Sequence, residues 1–198
     1  MANVFQKLLS LTTGEIKQKS QAAIEWYRSK ASNQRVAPSS MLTSEDYKKN
    51  IVGTVFPGGM FLFSYDPKHK ETLPYYDTYP LVMPFAMESD GFIGLNLHYL
   101  PPTMRASLLS ALMSLKPKNE TESLKLSYSI LSKYSKLSYF KPCVKKYLYS
   151  HVKSKFLKIS AEEWPVAIFL PLQRFQKASS GKVYADSRKM VGYKRNKK

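Results

Sequence analysis

Few side chains in this sequence are of types that do covalent or metal chemistry. Among 198 residues there are three histidines, His69, His98 and His151, and one cysteine, Cys143. None of the four falls at the spacing that holds a metal ion. Cys143 and His151 are eight positions apart, which on one helix separates them by more than ~10 Å, so they do not form a thiol–imidazole pair there. His98 lies in a strand-like pattern and is expected to be a core or rim histidine with its hydrogen bonds satisfied. The carboxylates Asp66, Glu71, Asp77, Glu88 and Asp90 crowd around turns, where a metal-dependent nuclease would also place acids. Turn and cap roles account for them without catalysis. No glycine-rich phosphate loop or serine elbow is present. The expectation is a protein that is not an enzyme and carries no cofactor and no metal.

Charge is the stronger signal. The net charge is +17, and it is unevenly placed. Residues 1–115 hold 11 Lys/Arg and 9 Asp/Glu, whereas residues 116–198 hold 20 Lys/Arg and 5 Asp/Glu. An excess of that size concentrated in one part of a chain calls for a polyanionic partner. Lys133, Lys136, Lys141, Lys145, Lys146, Lys153, Lys155 and Lys158 lie in a segment without acidic residues, interleaved with Tyr128, Tyr134, Tyr139, Tyr147 and Tyr149. A further set, Arg188, Lys189, Lys194, Arg195, Lys197 and Lys198, follows near the end. Lysine and arginine bind phosphates by releasing counterions, and tyrosine adds stacking. Double-stranded DNA is the expected partner. A membrane surface fits less well, because the basic stretch lacks a second face of large aliphatic residues. No apolar run approaches the ~20 residues that cross a bilayer, and no signal peptide is expected. A single thiol suits a reducing compartment.

These groups need a scaffold. Ala23, Trp26, Tyr27 and Ala31 fall at helical spacing, so residues 4–31 are expected to be helical, divided at Gly14. Residues 32–44 turn to Ser, Asn, Pro and Gln, the composition of a linker. Residues 60–65, 78–85 and 91–100 read as strands between turns, with Pro80 and Pro84 making the second an edge or an irregular strand. Pro101-Pro102 then opens a helix whose apolar face carries Met104, Leu108, Ala111, Leu112 and Leu115. Asn119 and Glu122 are spaced to cap a second helix with Leu124, Tyr128 and Leu131. A third helix is expected over 144–152, and further strands over 155–160 and 166–172. The fold class is therefore α+β: a small SH3-like β-barrel or curled antiparallel sheet with a helical insertion at about 102–152. The expected division is an N-terminal helical arm and linker over 1–44, packing on a neighbouring subunit or docking on its own core, one domain over 45–176, and a basic C-terminal tail over 177–198.

The segment FLFSYDPKHKETLPYYDTYPLVMPF, followed by GFIGLNLHYLPPTMRASLLSAL, resembles a family of virion proteins from large contractile-tailed bacteriophages, the myoviruses. YFKPCVKKYLYSHVKSKFLKISAEEWPVAIFLP and FQKASSGKVYADSRKM are similar to the same family, so the likeness spans roughly residues 56–190. The resemblance implies a virion component, assembled in the host bacterial cytoplasm among other virion proteins. Within that setting it points to the proteins that protect the ends of packaged DNA; it brings no catalytic residues with it. The alternative is a neck, tail or baseplate subunit whose basic surface meets acidic partner proteins. Taken with the charge, the reading is a structural protein that binds double-stranded DNA without sequence specificity.

Overall fold

In the computed structural model, residues 3–11, 21–113 and 120–190 are described. The strands are β1 (Ile51–Val52), β2 (Met60–Leu62), β3 (Tyr76–Asp77), β4 (Leu81–Glu88), β5 (Gly91–Asn96), β6 (Val144–Leu148), β7 (Phe156–Ile159) and β8 (Phe175–Gln176). Helices are α1 (Val4–Ser10), α2 (Gln21–Ser32), α3 (Pro38–Thr43), α4 (Pro102–Met113), α5 (Glu120–Ser135), α6 (Trp164–Ala167) and α7 (Ser180–Met190). Six strands form one antiparallel sheet in the order β1-β7-β2-β4-β5-β6, and β3 pairs with β8 in a separate ribbon. The α+β class holds, but the SH3-like barrel does not form. β1 and β6 remain as two unjoined edges, so the sheet is open.

Strand alternation explains how one sheet serves two cores. Met60 and Leu62, Leu81 and Met83, and Leu157 and Ile159 all enter the large core under the helices. Their neighbours Phe61, Val82 and Phe156 point to the other face and join Phe63, Tyr65, Phe92 and Tyr147. This period of two is what a pleated strand imposes. The second face is sharply curled. Phe92 on β5 and Phe156 on β7 are three strand steps apart, about 14 Å on a flat sheet. Their ring centroids lie 6.2 Å apart. Phe63 fills the hollow, edge-on to Phe92, Tyr147 and Phe156 at 5.8, 5.3 and 5.1 Å. Fully burying each such ring contributes about 2–3 kcal/mol, and edge-to-face geometry adds to it.

The N-terminal helices belong to the large core. Asn3 and Gln6 form a reciprocal capping box on α1, and the Val4 amide donates to the Tyr47 hydroxyl at 3.2 Å. Phe5, Leu8, Ala23, Ile24, Tyr27 and Ala31 are buried there with the sheet residues. Thus residues 3–11 and 21–32 dock on their own chain rather than projecting as an arm. Part of the expected linker is helical, as α3, with Pro38 in its first turn. Gly14 lies outside the described residues, as do Leu115 and Asn119.

Three further expectations change. Residues 144–148 are not helical: they form β6, antiparallel to β5, with Tyr147 sunk into the curled face and Lys146 outside. Pro142 ends the preceding 3-10 turn, and the open edge of β5 supplies backbone partners that outweigh the local preference. The apolar run 166–172 is not a strand. Its start completes α6, with Pro165 in the first turn and the Val166 and Ala167 amides donating to the Glu163 carbonyl. Residues 166–170 are all buried, and a short run buried all round carries no period to separate helix from strand. The expected tail is in part a docked helix, α7, with Val183 and Ser187 buried. Lys177 anchors its approach, its ammonium donating to the Lys70 and Glu71 carbonyls at 2.6 and 2.9 Å.

β4 is an interior strand, and the irregular alternative holds for it: its register with β5 shifts between Pro84 and Ala86. No helix among the described residues is long and apolar enough to cross a membrane.

Candidate nucleic-acid interface

The 3-10 turn Ser138–Cys143 is where the basic elements meet. It touches α5, α7, β5, β6 and the 97–99 turn, so several pieces of chain converge around it. Lys133 and Lys136 sit at the end of α5 and just beyond it, Lys141 in the turn itself, and Arg188 and Lys189 in the last turn of α7. All five are exposed. Cations at helix C-termini are also favourable to the helix dipole, which helps to explain their placement. Lys153 and Lys155 are exposed on the connection leading into β7, beside β2 through the bond from the Lys153 amide to the Ser64 carbonyl. They are not on the elements that meet at residues 138–143. Lys194 and Arg195 lie outside the described residues.

Two predicted contacts are engaged within the protein. Lys146 pairs with Glu88 at 2.6 Å and with Asp90 at 3.0 Å, so its charge is largely matched. Lys145 is half-buried and stands 4.4 Å over the Tyr99 ring, a cation–π contact. Burial pushes its ammonium pKa down, with the nearby Cys143 opposing that shift. Among the described residues no carboxylate pairs with it.

Lys145 lines a cavity of about 480 Å³ between β3, β5, β6 and the loop after Tyr65. Tyr65, Tyr75, Tyr99 and Tyr147 supply aromatic walls, with Lys68 and Lys146 also at the lining. Tyr65 and Tyr147 meet at 4.9 Å, and Tyr75 and Tyr99 at 6.1 Å. Beneath, Asn96 donates to the Tyr147 hydroxyl at 2.9 Å and accepts from the His98 amide. Sequence reasoning gave Lys145 and Tyr147 a role in binding, but as members of a helix surface. Their alternation with Lys146 was the available sign that a strand would turn both inward.

Asp77 and His98 form the buried polar centre next to this cavity. Asp77 has the turn role expected of it but is also buried: one oxygen accepts from the Tyr79 amide two residues on and from the Arg174 amide, and the other lies 2.6 Å from His98 Nδ1. Burial opposes the charged carboxylate, yet His98 and the two amides outweigh it and hold the Asp77 pKa below its ordinary value. Burial likewise holds His98 below its usual pKa, against the pull of Asp77. The pair is therefore an ionised carboxylate accepting from a neutral imidazole. His98 is the core histidine that the sequence suggested, but its hydrogen bonds are only half satisfied: Nδ1 meets Asp77, while Nε2 is buried without a partner among the described residues. Cys143 is also closed to chemistry, because burial pushes its thiol up to about 12.

Both members of the pair are depressed, so both act in the same direction on stability. Their contribution is complete above the unfolded values. As pH falls below about 6.5 the unfolded chain takes up the His98 proton first, and Asp77 adds the same sign below about 4. The melting temperature is expected to fall on acidification through this range, and to fall less in His98→Gln. Identical acid profiles for the two proteins would remove His98 from that account.

Three of the other carboxylates are similarly committed, Asp66 to Lys70 at 2.9 Å and Glu88 and Asp90 to Lys146, whereas Glu71 is exposed. Among the described residues no group of three or more His, Cys, Asp and Glu is arranged to hold a metal ion.

A family model described as the phage T4 terminal DNA protecting protein matches residues 8–193. No curated protein and no solved structure matches the chain.

Proposed function

Because the chain belongs to the family of the phage T4 terminal DNA protecting protein, we propose that it is a virion protein that covers the ends of packaged double-stranded DNA. It grips the duplex through phosphates and does not read its sequence. The observation that carries this reading is the convergence of Lys133, Lys136, Lys141, Arg188 and Lys189 on elements that meet at residues 138–143. Exposed cations on separate segments that touch the same turn support a phosphate-binding surface there. The reading includes no catalytic step. Of the acids considered for a nuclease, Asp66, Asp77, Glu88 and Asp90 are paired with Lys70, His98 or Lys146.

Affinity for linear duplex DNA is expected to fall linearly with the logarithm of salt, by about 0.9 in slope for each phosphate neutralised. Replacing Lys136, Lys141, Arg188 and Lys189 together with alanine removes four exposed charges and should flatten that slope by about 3.6. An unchanged slope would exclude this surface and favour acidic neighbouring proteins as its partner. Duplexes of different sequence should bind alike.

A further inference from the structure

We infer that the tyrosine-walled cavity beside β6 receives the terminal nucleotide of a DNA strand, its base against the tyrosine faces and its phosphate at Lys145. This rests on the end-protection reading and adds to it a site that distinguishes an end from continuous duplex.

Size and chemistry both favour a nucleotide. The cavity volume of about 480 Å³ lies within the ~300–1,000 Å³ of sites that enclose small ligands. Its lining includes Tyr65, Tyr75, Tyr99 and Tyr147. A base stacked on such a ring gains about 1–3 kcal/mol without regard to its identity, which suits a protein that does not read sequence.

Two polar groups at the cavity, Lys145 and Tyr147, are short of anionic partners, whereas Lys146 is paired with Glu88 and Asp90. The Lys145 ammonium rests on the Tyr99 ring, and no carboxylate among the described residues pairs with it. An anion brought to a half-buried cation interacts more strongly than at an open surface. Tyr147, itself buried, accepts from Asn96, and its own hydroxyl proton has no acceptor among the described residues. It is thus a second donor for a phosphate or a base oxygen. Two acids share the lining: Asp77 is ionised, with its oxygens turned to His98, Tyr79 and Arg174, and Asp90 shares Lys146 with Glu88, so the phosphate must sit at Lys145 and away from both. An interior nucleotide would have to leave its stack at a cost of a few kcal/mol, whereas an end base pair opens more cheaply.

The test compares a linear duplex with a closed circle of the same sequence, using the full chain and Lys145→Met. That substitution keeps an unbranched apolar side chain of similar length and removes the ammonium. The unaltered protein is expected to prefer linear DNA, and Lys145→Met to lose about tenfold in affinity for ends, equivalent to about 1.4 kcal/mol. Binding to the circle should be unchanged. A free deoxynucleoside monophosphate should displace the end from the unaltered protein but leave the circle bound, a measurement that does not depend on any variant folding. If displacement fails, or if Lys145→Met weakens both DNAs equally, the cavity is not the end site. If ends are preferred and only the cavity results fail, end protection stands without it. If the unaltered protein shows no preference for ends, both readings fall.

Discussion

Arg105→Met is expected to lower the unfolding free energy by about 3 kcal/mol or more, because three buried carbonyls lose their donor at about 1–3 kcal/mol each. Arg105 is buried on α4, and its guanidinium donates to the Leu100 and Ile168 carbonyls at 2.8 Å, the His98 carbonyl at 3.3 Å and the Tyr184 hydroxyl at 2.7 Å. One planar fork thus joins the end of the 97–99 turn, the residue after α6, and α7. Replacing a buried charge with an apolar side chain can stabilise a protein when its partners are replaced as well. Here three partners are backbone carbonyls and cannot be replaced, so the desolvated oxygens decide the sign. Lysine should not rescue, because its single ammonium cannot reproduce a fork aimed at separate segments. Urea unfolding provides the measure: the midpoint should fall with little change in slope. A midpoint equal to that of the unaltered protein would show that the carbonyls find water or other donors.

Gly91→Ala is the second large effect, and its cause is steric. A Cβ placed on Gly91 would lie 1.9 Å from the Tyr147 carbonyl oxygen and 3.1 Å from the Leu148 Cα. Both are backbone atoms of β6 in register with the start of β5, so no side chain can rotate away. The φ of Gly91 is not in the left-handed region; the requirement is close approach alone. The strands must separate there, which is expected to cost about 3 kcal/mol, the upper part of the range for overpacking. It should also loosen Tyr147 from the aromatic hollow. Amide exchange should show this: protection of the Leu148 and Tyr149 amides is expected to fall much more than that of β2. Equal protection in the two proteins would mean that the sheet absorbs the methyl.

Legibility in the sequence followed the range of the interaction. α4 was readable because Pro101-Pro102 sets its start and Leu108 and Leu112 repeat at helical spacing, all local facts. β2, β5 and β7 were readable as aromatic or branched runs bounded by turns. β6 was not, since VKKYL has no strong preference and becomes a strand only because β5 offers an edge. The strand reading of 166–172 failed for the opposite reason: an apolar run buried on every side looks the same in either conformation. For the site, the basic excess of the second half was plain from counting. That Lys146 would be matched by Glu88 and Asp90, while Lys145 would face tyrosines, depended on strand pairing across some fifty residues. Asp77 could not be read as buried at all, because one of its amide donors, Arg174, lies 97 positions away.

The position of β7 in the sheet has a kinetic consequence. β7 lies between β1 and β2, pairing Leu157 with both Ile51 and Leu62. The first two strands therefore cannot be bridged until a segment about a hundred residues downstream has left the ribosome. Closing contacts over such distances costs chain entropy before any pairing is gained, which makes folding slow. A nascent chain that has reached only α5 holds β2, β4 and β5 with the β2 edge still bare. Its route to the native state runs through a late insertion rather than stepwise growth from the N-terminus.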